Sequence, residues 1–310
     1  MNFPSTRLVA LFLSLTVTGV SAPLRVAYSY WFACVPLHIA ESHGFWTKRG
    51  LEVQITSFDT GLKVDAALKR GEIDLGYDML GAWFDLIQDG APIMLVGETD
   101  WSNGGDKLLI RTGKNLGDLR GQPLVVYQNG SAVKLFLREA LKRAKIPIGD
   151  FKLVEISDDA KMKDDFAKGR INLVASYDPI AQEVIAMGAK VLATTEEFPG
   201  IMPEGFAVTR GFLTPQGDAD LEKFFAGWFE AVRYLHDPAN RAEIAKLASE
   251  KTFAGTEKIS EEDVVTNAKT QPVHLSDFSL QRNDLAAKSA GEFITSIRVL
   301  WLQQGRPMTP

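Results

Sequence analysis

Cysteine is all but missing from these 310 residues: Cys34 stands alone, so no intramolecular disulfide can form and a packed core has to hold the fold. Histidine is scarce as well. His38, His43, His236 and His274 are the full set, and no two stand four apart, the spacing that puts two metal ligands on one helix face. They are expected on helical surfaces, and no metal or cofactor is expected. Basic blocks, aromatic-interleaved basic stripes and zinc-finger spacings are lacking, which argues against nucleic acid as a partner. No Gly-x-x-x-x-Gly-Lys-Ser/Thr loop is present to cradle a nucleotide phosphate. Neither Gly-x-Ser-x-Gly nor Ser-x-x-Lys occurs in a fitting context, so no nucleophile is set up for catalysis. The 34 basic and 39 acidic residues leave a charge of −5, and that mild acidity mainly promotes solubility.

Long apolar runs are also few. One lies at the start, where Arg7 precedes Leu8 to Val20 and the small-residue triplet Val20-Ser21-Ala22. This is the layout of a cleaved secretory signal, residues 1–22, and the run is shorter than the roughly 18 to 20 residues of a spanning helix. The expectation is an exported protein, free in the periplasm, whose mature chain starts near residue 22 or 23. Cys34 lies too far beyond the leader for lipid attachment. A receptor ectodomain would need a spanning segment after its binding lobes, and none follows through Pro310.

From Leu24 onward, short β-type runs alternate with amphipathic helical stretches, the pattern of an α/β protein with parallel sheets and crossover helices. Strands are expected at Leu24 to Tyr28 and Leu51 to Ser57, with helices at Val35 to Lys48 and Leu62 to Arg70 that stop at Gly50 and Gly71. A second α/β unit runs from the strand Pro123 to Tyr127 through the turn Gln128-Asn129-Gly130 and a helix opening at Ser131, to a strand at Val191 to Thr194. Gly205 to Thr209 reads as a returning strand. The stripe Leu221, Phe224, Phe225, Trp228, Phe229 and Val232 marks a core-packed helix, and Phe293, Ile294, Ile297, Leu300 and Trp301 mark another. The expected organisation is two doubly wound lobes joined by a two-strand hinge: 23–109 in the first lobe, 110–207 in the second, and 208–310 returning, mostly as helices, to the first. The hinge crossings are expected near Leu108 to Thr112 and Phe206 to Arg210.

Several segments together carry a family resemblance: Pro36-Leu37, Gly44-Phe45, Gly50-Leu51, Gly71-Glu72-Ile73-Asp74-Leu75-Gly76, Gly90-Ala91-Pro92, Gly130-Ser131-Ala132, Tyr177-Asp178-Pro179 and Phe206-Ala207-Val208. In this order the chain resembles the nitrate/sulfonate/taurine family of periplasmic binding proteins, which in turn resembles the thiamine-pyrimidine-precursor binding proteins. The resemblance implies a type II periplasmic-binding fold and a monomer that hands a small solute to an ABC permease powered by a separate ATPase. It also keeps open an enzyme on the same fold, a pyrimidine-precursor synthase or a lyase. Those synthases use a cysteine-rich iron-binding segment, which a chain with one cysteine departs from.

Ligands of open α/β sheets bind beyond the carboxyl ends of the strands. The residues expected there are Ser29, Tyr30, Trp31, Asp59, Thr60, Tyr77, Asp78, Asp100 and Trp101 in the first lobe, with Gly130, Ser131, Tyr177 and Asp178 in the second. Carboxylates beside aromatic faces suit a cation, an amine or an amino-heterocycle. Gly130-Ser131-Ala132 at a helix start is the one element that favours an anion. An aliphatic sulfonate, nitrate or other small anion therefore stays as the alternative ligand.

Overall fold

The computed structural model describes residues 22–127 and 130–271. The expected leader, His274 and the expected helix around Phe293 to Trp301 lie outside the described residues. Two five-stranded sheets organise the rest.

In the first sheet, β1 (Leu24–Ser29) lies between β2 (Val53–Phe58) and β3 (Leu75–Met79), parallel to both. β10 (Pro203–Thr209) runs antiparallel between β3 and β4 (Ile93–Trp101). The second sheet has the order β7 (Lys152–Ile156), β6 (Pro123–Tyr127), β8 (Leu173–Tyr177), β5 (Asp106–Arg111), β9 (Ala189–Thr194), with β5 antiparallel to both its neighbours. Each sheet thus takes one reversed strand into an otherwise doubly wound layout.

Strand membership moves the crossings. The chain leaves the first sheet after Trp101 and joins the second at Asp106, then leaves the second after Thr194 and returns at Pro203. The expected crossings near 108–112 and 206–210 fall inside β5 and the β10 end, which looked strand-like because they are full members of a sheet. The connecting segments lie side by side, with the Ser102 N–H donating to the Met202 carbonyl at 2.9 Å. Glu98 to Trp101 likewise belong to β4 and do not follow a strand end.

Helices α1 (Val35–Ser42), α2 (Gly61–Lys69) and α3 (Leu80–Gln88) cover the first sheet, and α4 (Gly130–Arg143), α5 (Asp159–Ala167) and α6 (Ile180–Ala186) cover the second. The helix expected to run to Lys48 stops at Ser42, and a short 3-10 turn at Thr47–Arg49 follows before Gly50 adopts a left-handed conformation at φ 65°. α7 (Pro215–His236), α8 (Arg241–Leu247) and α9 (Glu261–Ala268) form the helical part that packs back on the first lobe.

All six residues of the α7 stripe are buried. Phe206 from β10 meets Phe224 and Trp228 edge-on at 5.1 and 5.0 Å, a geometry that aligns ring edges with ring faces. Trp46 stacks on Phe224 at 5.3 Å and donates its indole N–H to the Phe224 carbonyl. Gly227 makes room for it, since a Cβ there would overlap the Trp46 ring.

His38 departs from the expected helical surface. It is buried, with its Nε2 2.9 Å from the Tyr28 hydroxyl, and burial holds its pKa down although Glu41 pulls it up. His43 is partly buried against Tyr234 and Glu243, and His236 faces the Gln271 carbonyl.

Candidate ligand-binding cleft

Between the two sheets lies a cleft of about 310 Å³. Its first-lobe wall carries Ser29 and Tyr30-Trp31 at the end of β1, Asp59-Thr60 after β2, and Tyr77-Asp78-Met79 at the end of β3. The second-lobe wall is Tyr127 of β6, Ile156-Ser157 after β7, Asp159 at the start of α5, and Tyr177 of β8. Phe253, Thr256 and Glu257, from the segment between α8 and α9, close one side.

Eight of the thirteen expected residues meet here: Ser29, Tyr30, Trp31, Asp59, Thr60, Tyr77, Asp78 and Tyr177. The other five are placed elsewhere. Asp100 is buried within β4, and its Oδ1 accepts from the Trp101 N–H while Thr270 and Gln271 ease its buried charge. Trp101 pairs with Pro203 across the sheet. Asp178 turns away to an ion pair with Lys107 at 2.5 Å. Gly130 and Ser131 are taken by the first lobe: the Asp85 carboxylate of α3 accepts from the Ser131 N–H and from its hydroxyl, both at 2.7 Å.

That last contact bears on the ligand. A free helix N-terminus attracts an anion through its open N–H groups and dipole. At α4 the anion is Asp85. At α2 the Asp78 carboxylate lies so close to Gly61 that a Cβ on Gly61 would overlap its Oδ2. At α5 the Asp158 side chain accepts from the Lys161 N–H as an N-cap. Asp59, beside the start of α2, pairs with Lys63 at 2.7 Å.

Two further deep residues were not apparent from the sequence, Asp106 and Glu204. Both open strands that run antiparallel to the sheet, β5 and β10, so their amino ends lie beside the carboxyl ends of the parallel strands. Asp106 is fully satisfied, with one oxygen accepting from the Tyr127 hydroxyl and the other from the Ser102 hydroxyl. Burial raises its pKa, against those bonds and Lys107. Glu204 accepts from the Tyr77 hydroxyl at 3.0 Å, and its carboxyl is pushed well up by burial, then by Asp100 and Asp106. Asp159 is raised by burial, although Tyr177 donates to it at 3.2 Å. Glu257 is pushed up to about 7 by burial, then by Asp263 and Asp178. The lining holds Asp59, Asp78, Asp106, Asp159, Glu183, Glu204 and Glu257, with no lysine, arginine or histidine among the described lining residues. No group of side chains suited to a metal ion occurs among the described residues.

A ligand-sized cleft between two lobes, built from strand ends and flanked by paired crossings, defines the class of the two-lobed solute-binding proteins. The chain belongs to the NMT1-like family, whose model matches residues 19–249. Proteins of Brucella abortus and Brucella melitensis, both named provisionally as binding proteins, are 26% identical over 204 residues. The match takes in 64% of this chain and 62% of those proteins, so the chain spans less than two thirds of the length of these relatives. In fold it is similar to the periplasmic aliphatic sulphonate binding protein of Escherichia coli, at TM-score 0.68 and 19% identity over 93% of this chain and 94% of that one. It is also similar to the alkanesulfonate-binding protein of Xanthomonas axonopodis pv. citri, solved with MOPS (0.65, 21%, 88% and 94%), and to the nitrate-binding protein of Synechocystis PCC 6803 (0.63, 16%, 80% and 70%). The fold is therefore that of the periplasmic binding proteins, with the helical part on the first lobe.

Proposed function

We propose that this protein is the exported solute-binding component of an ABC importer, and that its solute carries positive charge as an amine, a cation or an amino-heterocycle. It binds without catalysing a reaction and delivers the solute to a membrane permease driven by a separate ATPase. The fold and the family support the carrier role. The charge of the solute rests on one observation: seven carboxyl groups and no basic side chain among the described residues lining the cleft.

Burial in this cleft disfavours ionised carboxyls, and it is the reason Glu204, Asp106, Asp159 and Glu257 are raised. A bound cation reverses that penalty by Coulombic attraction and by charge-assisted hydrogen bonds. Tyr30, Trp31, Tyr77, Tyr127, Tyr177 and Phe253 add ring faces that attract a cation. A sulfonate or nitrate would meet repulsion from those carboxylates that stay ionised, and the N-termini of α4 and α5 are already taken by Asp85 and Asp158. A thermal-shift screen across primary amines, amino-heterocycles, alkanesulfonates, nitrate and amides tests the reading. At a hundred times its dissociation constant a ligand stabilises by about 2.7 kcal/mol, worth roughly 5–10 °C for a chain of this size. Stabilisation confined to sulfonates or nitrate would refute the proposed charge.

A further inference from the structure

Glu204 stands apart from the other acids of the cleft. It is 1% exposed, it lines the cleft at the amino end of β10, and its Oε1 has no hydrogen-bond partner. Its Oε2 is held by the Tyr77 hydroxyl, and Tyr77 is itself packed edge-on against Phe206 at 5.0 Å. The carboxyl plane is thus fixed from behind, the Trp31 indole also lies within reach of the carboxyl, and the buried Oε1 has no partner at hydrogen-bond geometry. An unpartnered buried polar atom is costly, and native proteins retain very few. One that faces a ligand-sized cleft is completed by the ligand. Asp106 beside it offers no such vacancy, since both of its oxygens accept from hydroxyl groups.

We infer that Glu204 is the specificity-determining residue of the cleft, its Oε1 accepting a hydrogen bond from an N–H of the solute, so that the solute class is an N–H-bearing amine and not a permethylated ammonium. This rests on the cationic reading above and narrows it. The cleft's other acids attract any positive charge, whereas a fixed, directional acceptor separates a primary ammonium from a quaternary one of the same charge. The aromatic walls alone would favour the quaternary ion at least as well.

The groups facing Glu204 explain a second consequence. Tyr77 of β3, Asp100 of β4, Asp106 of β5, Tyr127 of β6, the Trp31 indole and the Cys34 thiol surround it. None of these is a cation, and Lys107 reaches only as far as Asp178 and the carbonyls of Gly104 and Gly105. Burial and the neighbouring acids raise this carboxyl, and the ammonium is the one positive charge brought to it, so binding favours its ionised form.

Calorimetric titration of benzylamine and benzyltrimethylammonium into the wild-type protein and into Glu204→Gln decides the matter. Expected is about a 10- to 100-fold loss of benzylamine affinity in Glu204→Gln, with a distinctly smaller loss for benzyltrimethylammonium, which forfeits only the Coulombic part. The enthalpy of benzylamine binding should depend on buffer ionisation in the wild type, and that dependence should be smaller in the variant. Equal losses for both cations, or none for benzylamine, would overturn the role of Glu204 while leaving the cationic reading intact. Failure of both cations to bind the wild type, with an alkanesulfonate binding instead, would overturn the cationic reading together with this one. A Glu204→Asp variant, shorter by one methylene, guards against misfolding as the cause: it keeps the charge, withdraws the acceptor, and should lose benzylamine selectively.

Discussion

Replacing Asp85 with alanine should loosen the two lobes from one another. Its carboxylate sits on α3 of the first lobe and accepts twice from Ser131 at the start of α4 in the second, each bond 2.7 Å long. A hydrogen bond to a charged group contributes about 1.5–3 kcal/mol, and a carboxylate at a helix N-terminus adds about 0.3–1 kcal/mol. Asp85 is only half-buried, so water recovers part of this at the vacated N–H. The net loss expected is about 2 kcal/mol, or roughly 4–8 °C in Tm for a chain of this size. Packing at the same junction, where Gly81 abuts Ala132 and Leu135 meets Leu80 and Phe84, remains in place. Scanning calorimetry of Asp85→Ala, Ser131→Ala and the double variant measures the coupling, expected near 1 kcal/mol. A Tm within about 1 °C of wild type for Asp85→Ala, with additive single variants, would refute the latch. Asp85→Ala should also open the α4 N-terminus to sulfate, seen as stabilisation by sulfate that the wild type lacks.

Two other substitutions probe the cleft and its support. A Cβ at Gly105 would overlap the Trp31 ring, so Gly105→Ala should displace that wall and weaken amine binding at least about tenfold, measured by calorimetry; unchanged affinity would remove Trp31 from the site. Asp65 is buried on α2, and its carboxyl is raised by burial first and then by Asp78. A raised folded pKa means its contribution to stability is complete below the ordinary carboxylate range and is lost as pH climbs through the raised value. Asp65→Asn should therefore melt higher than wild type at pH 8 and no higher at pH 4, and an equal shift at both pH values would contradict the assignment.

Much of the fold was legible because each local signal agreed with its neighbours. The aromatic stripe of α7 is the one that packs on β10, and the early strands fall within a residue or two of the apolar runs that mark them. The parts that were not legible share a cause. Strand direction leaves no mark on an apolar run, so the search for strand carboxyl ends found Tyr77, Asp78 and Tyr177 and passed over Asp106 and Glu204, which enter the cleft from the amino ends of reversed strands. The same blindness placed Asp100 and Trp101 beyond a strand that contains them. Gly130-Ser131 read correctly as a helix start, but the carboxylate that takes its Ser131 N–H, Asp85, is 46 residues away in sequence. Asp178 has the composition of a site residue and is drawn off by Lys107, a pairing fixed only when β5 and β8 lie side by side.

Selection of positive charge by the cleft is open to a direct comparison. Isothermal titration of phenethylamine and phenethylsulfonate, which share one carbon frame and differ in the sign of the head group, tests it most directly. The amine is expected to bind at least about 100-fold more tightly, a difference of roughly 2.7 kcal/mol, and added salt should weaken it. Tighter binding of the sulfonate would contradict it.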